Sequence, residues 1–170
     1  MPHRVLTTVI ALAALVTPTL AQDGCPLERA TYAEGDNGYE LRFHQPKEWE
    51  MYGMTESVFE LVGGPQDQTL WGYISGNMGT SRDTGNLFSG CARPGPDDDV
   101  LVEDLIDECR VWTGVVYAMT SGEPAFMPFH DEPAPPGILM TDLGRTLRYS
   151  LLSGPGDEPW DYFTFKSCAE

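Results

Sequence analysis

Asp83-Thr84-Gly85, within the stretch GTSRDTGNLFSGC, holds residue types that can hydrolyse a peptide bond. In that chemistry two Asp-Thr-Gly triplets meet, and their close carboxylates share a proton and activate water. The aspartate must be buried, and an apolar strand normally delivers it. Here the lead-in is Gly79-Thr80-Ser81-Arg82, which is polar, and the chain holds no second triplet, so only a homodimer would complete the site. The residues read better as a turn, with the Asp83 side chain bonding nearby amides and Gly85 at positive φ.

The remaining candidates are equally exposed to a structural explanation. His130 precedes Asp131 and Glu132, which would orient an imidazole as a general base, but no serine or cysteine nucleophile stands in a recognisable motif. Met51, Met54, Met78, Met119, Met127 and Met140, with His44 and His130, are soft ligands for a copper-handling protein if they converge, and ordinary core filling if they do not. The acidic run Asp97-Asp98-Asp99 with Glu103, Asp104, Asp107 and Glu108 lacks the alternating ligands and central glycine of a calcium loop. Helix capping and a solvated face account for it. No motif implies a cofactor, and no residue is assigned as catalytic or metal-binding.

Aromatic residues supply a different kind of site. Trp49 and Tyr52 lie in a turn-rich stretch, PKEWEMYGM, and Phe126, Phe129 and His130 lie in the proline-rich SGEPAFMPFHDEPAPPG. Exposed, they would form a surface for a partner; folded inward, they would plug the end of a β-core.

These residues must be carried by an exported chain. His3 and Arg4, an apolar run from Val5 to Val16, and small residues at Thr19 and Ala21 make residues 1–21 a signal peptide, too short in its apolar run to span a bilayer. The mature domain is then 22–170, periplasmic in a Gram-negative host and secreted otherwise. Cys25, Cys91, Cys109 and Cys168 all fall in it, an even count in an oxidising compartment. No pair is spaced as Cys-x-x-Cys, so structural bridges are expected, Cys91–Cys109 and Cys25–Cys168. In the chain-entropy model the long loop is worth about 4 to 5 kcal/mol and the short one about 3 kcal/mol.

Beyond Ala21, nine basic residues face 26 acidic ones, a net charge of −17. That excludes nucleic acid and anionic membrane surfaces as natural partners, and no segment has the length and apolarity of a membrane span. It allows a cationic protein, such as a lysozyme bound by an inhibitor, or a small ligand.

Period-two alternation predicts strands in GYELRF, SVFELV, TLWGYIS, VWTGVVYAM, TLRYSLL and WDYFTF. Six strands separated by Gly- and Pro-rich turns point to an antiparallel β-sandwich or small β-barrel. One short acidic helix is expected over about 98–109, with Val102, Leu105, Ile106 and Cys109 on its buried side. SGPGDEP reads as an ordinary turn, and SGEPAFMPFHDEPAPPG as irregular. The expected function is non-enzymatic binding of a protein or small ligand; a hydrolase using carboxylates from distant strands and a copper-handling protein are the alternatives.

Overall fold

In the computed structural model, which describes residues 24–51, 53–77, 82–98, 108–149 and 156–170, alternation translates directly into a wall with two faces. The strands are β1 (Ala30–Ala33), β2 (Tyr39–His44), β3 (Thr55–Gly63), β4 (Gln68–Ser75), β5 (Thr84–Phe88), β6 (Arg110–Thr120), β7 (Glu123–Ala125), β8 (Gly137–Met140) and β9 (Tyr162–Cys168), with a helix α1 (Leu143–Arg148) between the last two. Each pairs antiparallel with its neighbour, β6 spans from β5 to β8, and β9 returns to β1. The result is a closed eight-stranded antiparallel barrel, with β7 as a short appendage to β6. Of the two architectures expected, the barrel is the one adopted.

Register keeps one row inward all the way round. Leu41 faces Leu61 and Leu70 follows, while Phe43 faces Phe59 and then Gly72. On the far side Ala118, Ile138 and Phe163 continue the row. The outward row carries Glu40, Arg42, Glu60 and Lys166, so charge is outside and hydrocarbon inside, the reverse of a lipid-facing barrel. Among the described residues no helix is long and apolar enough to cross a membrane.

Side chains fill the interior. Trp112, Tyr32, Phe59 and Phe163 are fully buried there, with Tyr32 meeting Phe43 and Phe165 edge-on at 5.8 Å each. Trp112 fits because its flanks are glycines: a Cβ on Gly85 would lie 2.7 Å from its ring, and one on Gly114 2.6 Å. Its indole N–H donates to the Thr141 carbonyl at 3.1 Å.

A second apolar cluster lies outside the wall. Val58, Trp71, Tyr73 and Phe88 face outward, with the Trp71 and Phe88 rings stacked at 4.3 Å. Where the connection from β5 to β6 is described, Cys91 and Cys109 pack against them and are bridged, and Trp71 donates to the Cys91 carbonyl at 3.1 Å. Glu108 and Cys109 are helical and Cys109 is buried. Asp98, at the start of the acidic helix expected over about 98–109, is not helical, and residues 99–107 lie outside the described residues. The second bridge, Cys25–Cys168, has Cα atoms 5.9 Å apart and ties the chain ahead of β1 to the end of β9, closing one end of their seam. Both pairings are those expected.

Three expectations are corrected. Asp83-Thr84-Gly85 is no turn: Thr84 begins β5, Gly85 does not take positive φ, and Asp83 is buried. Pairing on both sides and the demand of Trp112 for a bare backbone override the weak β-propensity of Gly85 and Asn86. TLRYSLL is no strand over its described part: Leu143 and Leu147, four apart, bury one face of α1, and the alternation at Leu147 and Tyr149 is incidental. The proline-rich stretch is not wholly irregular, because Glu123–Ala125 forms a hairpin with β6 about Ser121 and Gly122, both at positive φ.

The fit around Trp112 is testable by urea denaturation. Gly85→Ala is expected to cost about 1–3 kcal/mol by overpacking. Gly35→Ala, with nothing near its added carbon, should stay within about 0.5 kcal/mol of the parent.

Candidate functional site

Among the described residues side chains fill the barrel interior, and a cleft opens among the connections at one end. At that end lie the β1–β2 turn, α1 and the segment leading into β9. Glu34 ends β1 buried, and its carboxylate accepts the backbone N–H groups of Asp36, Asn37 and Tyr39 at 2.6–3.1 Å. A buried carboxylate satisfied by three amides is a rigid brace. It presents Asp36 and Asn37 outward, and the Asn37 amide donates to the Glu158 carbonyl at 2.7 Å. Asp161 braces the other wall by accepting the N–H groups of Asp142 at 3.0 Å and Gly144 at 2.8 Å, at the start of α1. Gly144 is obligatory, since a side chain there would overlap the Pro159 carbonyl oxygen.

Between these walls opens a cleft of about 640 Å³. Tyr149 (83% exposed) and Trp160 (61% exposed) stand at it, large aromatics left in water. Arg145 and Arg148 project from α1 three residues apart, on one side of the helix. Their nearest carboxylates among the described residues, Asp142 and Glu158, are each 3.6 Å away, beyond hydrogen-bond length. Hydrogen bonds from the backbone amides of Glu158 itself and of Gly156, with Arg148 nearby, hold the Glu158 carboxyl below the usual carboxylate range. The cleft therefore offers fixed anionic acceptors, guanidinium donors and apolar ring faces together.

The opposite end is a closed lid. The segment from Phe126 to Pro136 lies on the chain before β1: Leu27 and Glu28 donate to the Glu132 and His130 carbonyls, Ala134 to that of Cys25, and Tyr32 to that of Pro135. Met127 sinks into the core and its N–H donates to buried Asp83 at 2.7 Å. Asp83 is thus spent on anchoring this lid. Glu56, at the start of β3, is the carboxyl pushed upward, by burial and then by the Asp83 charge.

The residues singled out as a partner surface fall at this lidded end. Trp49 is exposed on a single 3-10 turn, Glu48–Glu50, between β2 and β3, and Phe126 and Phe129 are exposed on the lid. Arg82 stacks over Phe126 at 4.9 Å. His130 is paired through Nδ1 with Glu28 at 2.6 Å. Tyr52 lies outside the described residues, as does Met78. Met127 and Met140 pack in the core, whereas Met51 and Met54 are exposed on the β2–β3 connection. Among the described residues no three His, Cys, Asp or Glu side chains group as metal ligands.

Comparison with protein-family models, curated proteins and solved structures finds no match.

The cleft residues escaped sequence reading in part because of the stretches that hold them. Arg148 and Tyr149 lie in TLRYSLL, which reads as a strand, and Gly156, Glu158 and Pro159 in SGPGDEP, which reads as a plain turn. Trp160 and Asp161 lie at the head of the strand WDYFTF. The available signal was Leu143 and Leu147 four apart after Asp142, with Arg145 and Arg148 on the outer side.

On the outer wall, a half-buried ion cluster around buried Glu50 pins Arg93 of the β5–β6 connection. Arg93 Nε donates to buried Glu50 at 2.7 Å, a further nitrogen donates to His44 Nε2, and Glu60 lies 3.8 Å away. Burial, and then the Arg93 charge, press the His44 pKa below its ordinary 6.5. The unfolded chain then binds this proton more readily, so stability is complete above pH 6.5 and is lost as pH falls through the lower folded value. Urea midpoints measured across that window should fall more steeply for the parent than for His44→Asn.

Proposed function

We propose that the chain is an exported, non-enzymatic binding protein that takes its ligand in the cleft between α1 and the β1–β2 turn. The carrying observation is the convergence there of Trp160, Tyr149, two guanidiniums and braced carboxylates, on a barrel whose interior is full. Small-molecule sites are concave, of roughly 300–1,000 Å³, with a few fixed polar groups among apolar ones. Two disulfides, a charged outer wall and the leader-like residues 1–21 support export, to the periplasm in a Gram-negative host or out of the cell otherwise.

Binding is favoured over hydrolysis by the state of the carboxylates. A general acid needs a raised pKa. In the cleft Glu158 is held ionised, and both oxygens of Asp161 are engaged by backbone amides. The carboxyl that is pushed upward, Glu56, sits at the opposite end of the barrel. Copper handling gains nothing from the geometry, since both imidazoles are engaged by charged neighbours and two of the methionines are core.

Thermal unfolding of the oxidised chain, with and without the small-molecule fraction of the exported medium, tests the reading. A ligand at a concentration well above its Kd raises Tm by mass action. The rise should vanish in Trp160→Ala and persist in Trp49→Ala. The opposite pattern, or a rise seen only with the protein fraction and lost in salt, would replace the cleft with a cationic protein partner at the lidded end.

A further inference from the structure

We infer that the cleft ligand is a neutral saccharide, a short chain of polyhydroxylated rings. The inference rests on the proposed reading of the cleft as the binding site and adds the ligand class. Each hydroxyl is both one donor and an acceptor. A site matched to several of them needs donors and acceptors in similar number, and flat apolar faces for the C–H side of the ring. Arg145, Arg148 and Asn37 supply the donors, and Asp36, Glu158 and Asp161 the acceptors. Asp161 already accepts two amides, one on each oxygen, which leaves each oxygen a further lone pair. The exposed faces of Tyr149 and Trp160 supply the platform.

Other ligand classes fit less well. An anion would meet three lining carboxylates against two guanidiniums, on a chain of net charge −16. A cation would meet the two guanidiniums at the centre of the helical wall. A wholly apolar molecule would strip water from all five charges without replacing its hydrogen bonds. A neutral polyol satisfies donors and acceptors at once. The braces matter here too. Glu34 and Asp161 hold the turn and the helix before any ligand arrives, so little ordering remains to oppose a weak, hydroxyl-by-hydroxyl interaction.

Nitrogen-15 NMR of the oxidised chain provides the test, with neutral hexose oligomers, N-acetylhexosamine oligomers and uronate oligomers as separate probes at millimolar concentration. A neutral oligomer should shift the Gly144 and Gly156 amides and the Trp160 indole saturably. Affinity should fall about tenfold or more in Trp160→Ala and in Arg148→Lys, which keeps the charge but loses the fork, and be unchanged in Trp49→Ala. A dispersed spectrum for each variant assigns the loss to the site rather than to misfolding. Shifts with uronates alone would overturn the neutral class. Shifts with the small-molecule fraction of the exported medium but with no saccharide would overturn the sugar and keep the cleft. Cleft signals unmoved by any of these would sink both.

Discussion

An eight-stranded barrel has just enough room inside to be filled by its own side chains, and that constraint governs the rest of this molecule. Among the described residues, Trp112, Tyr32, Phe59 and Phe163 fill the interior with side chains. The filling dictates sequence elsewhere. Gly85 and Gly114 must be bare beside the indole, and the Thr141 carbonyl must reach its N–H, which fixes the chain's exit from β8. Thr141 in turn donates its N–H to Val115, so the start of the α1 segment is registered against β6 by the same residue that satisfies the tryptophan. The packing that closes the inside therefore positions the outside end where the cleft forms.

Strand alternation made the wall legible from sequence. Tyr39, Leu41 and Phe43 against Glu40 and Arg42 could be nothing but a two-faced strand, and the same holds for β3, β4 and β9. The cysteines were legible as well, because so long a loop as Cys25–Cys168 makes sense only if the chain's ends meet. What could not be read was any element whose reason lies across the barrel. β5 looks like a turn because Asp83, Gly85 and Asn86 are turn residues by propensity. Only Trp112, 27 positions from Gly85, explains the glycine, and only Met127 explains the buried aspartate. α1 was hidden for a related reason: Leu147 and Tyr149 fit a period of two as well as Leu143 and Leu147 fit a period of four. The cleft is formed by α1, the segment leading into β9 and a turn braced by Glu34, whose burial no local pattern announces.

The buried acids deserve to be compared, because each is spent differently. Glu34 caps a turn, Asp83 anchors a lid, and Glu50 answers Arg93. All three are satisfied by backbone amides or a guanidinium, as burial requires. Together they fasten the three connections that a barrel alone would leave loose: β1–β2, β7–β8 and β5–β6. The acidity of this chain is thus partly architectural, and only the exposed remainder counts toward its solubility or its choice of partner. That lowers the weight of net charge as a guide to function here.

The two barrel ends differ in what their fastening achieves. At the lidded end main-chain bonds to the chain before β1, joined by those of Asp83 and Tyr32, hold the segment over the core with Met127 pushed in. At the α1 end the braces hold walls apart. Asp161 fixes the helix start, Glu34 fixes the turn, and the Asn37–Glu158 bond spans between turn and segment. Tyr149 and Trp160 stay exposed, and the carboxylates nearest Arg145 and Arg148 among the described residues lie 3.6 Å away. A fold under selection for stability alone would turn Trp160 and Tyr149 inward, where each would bury a large apolar surface. Holding them in water on a rigid frame forgoes that stabilisation. Trp49, Phe126 and Phe129 leave apolar rings in water at the lidded end as well. What sets the α1 end apart is that its rings border a cleft with guanidiniums and braced carboxylates, the ground on which binding is proposed there.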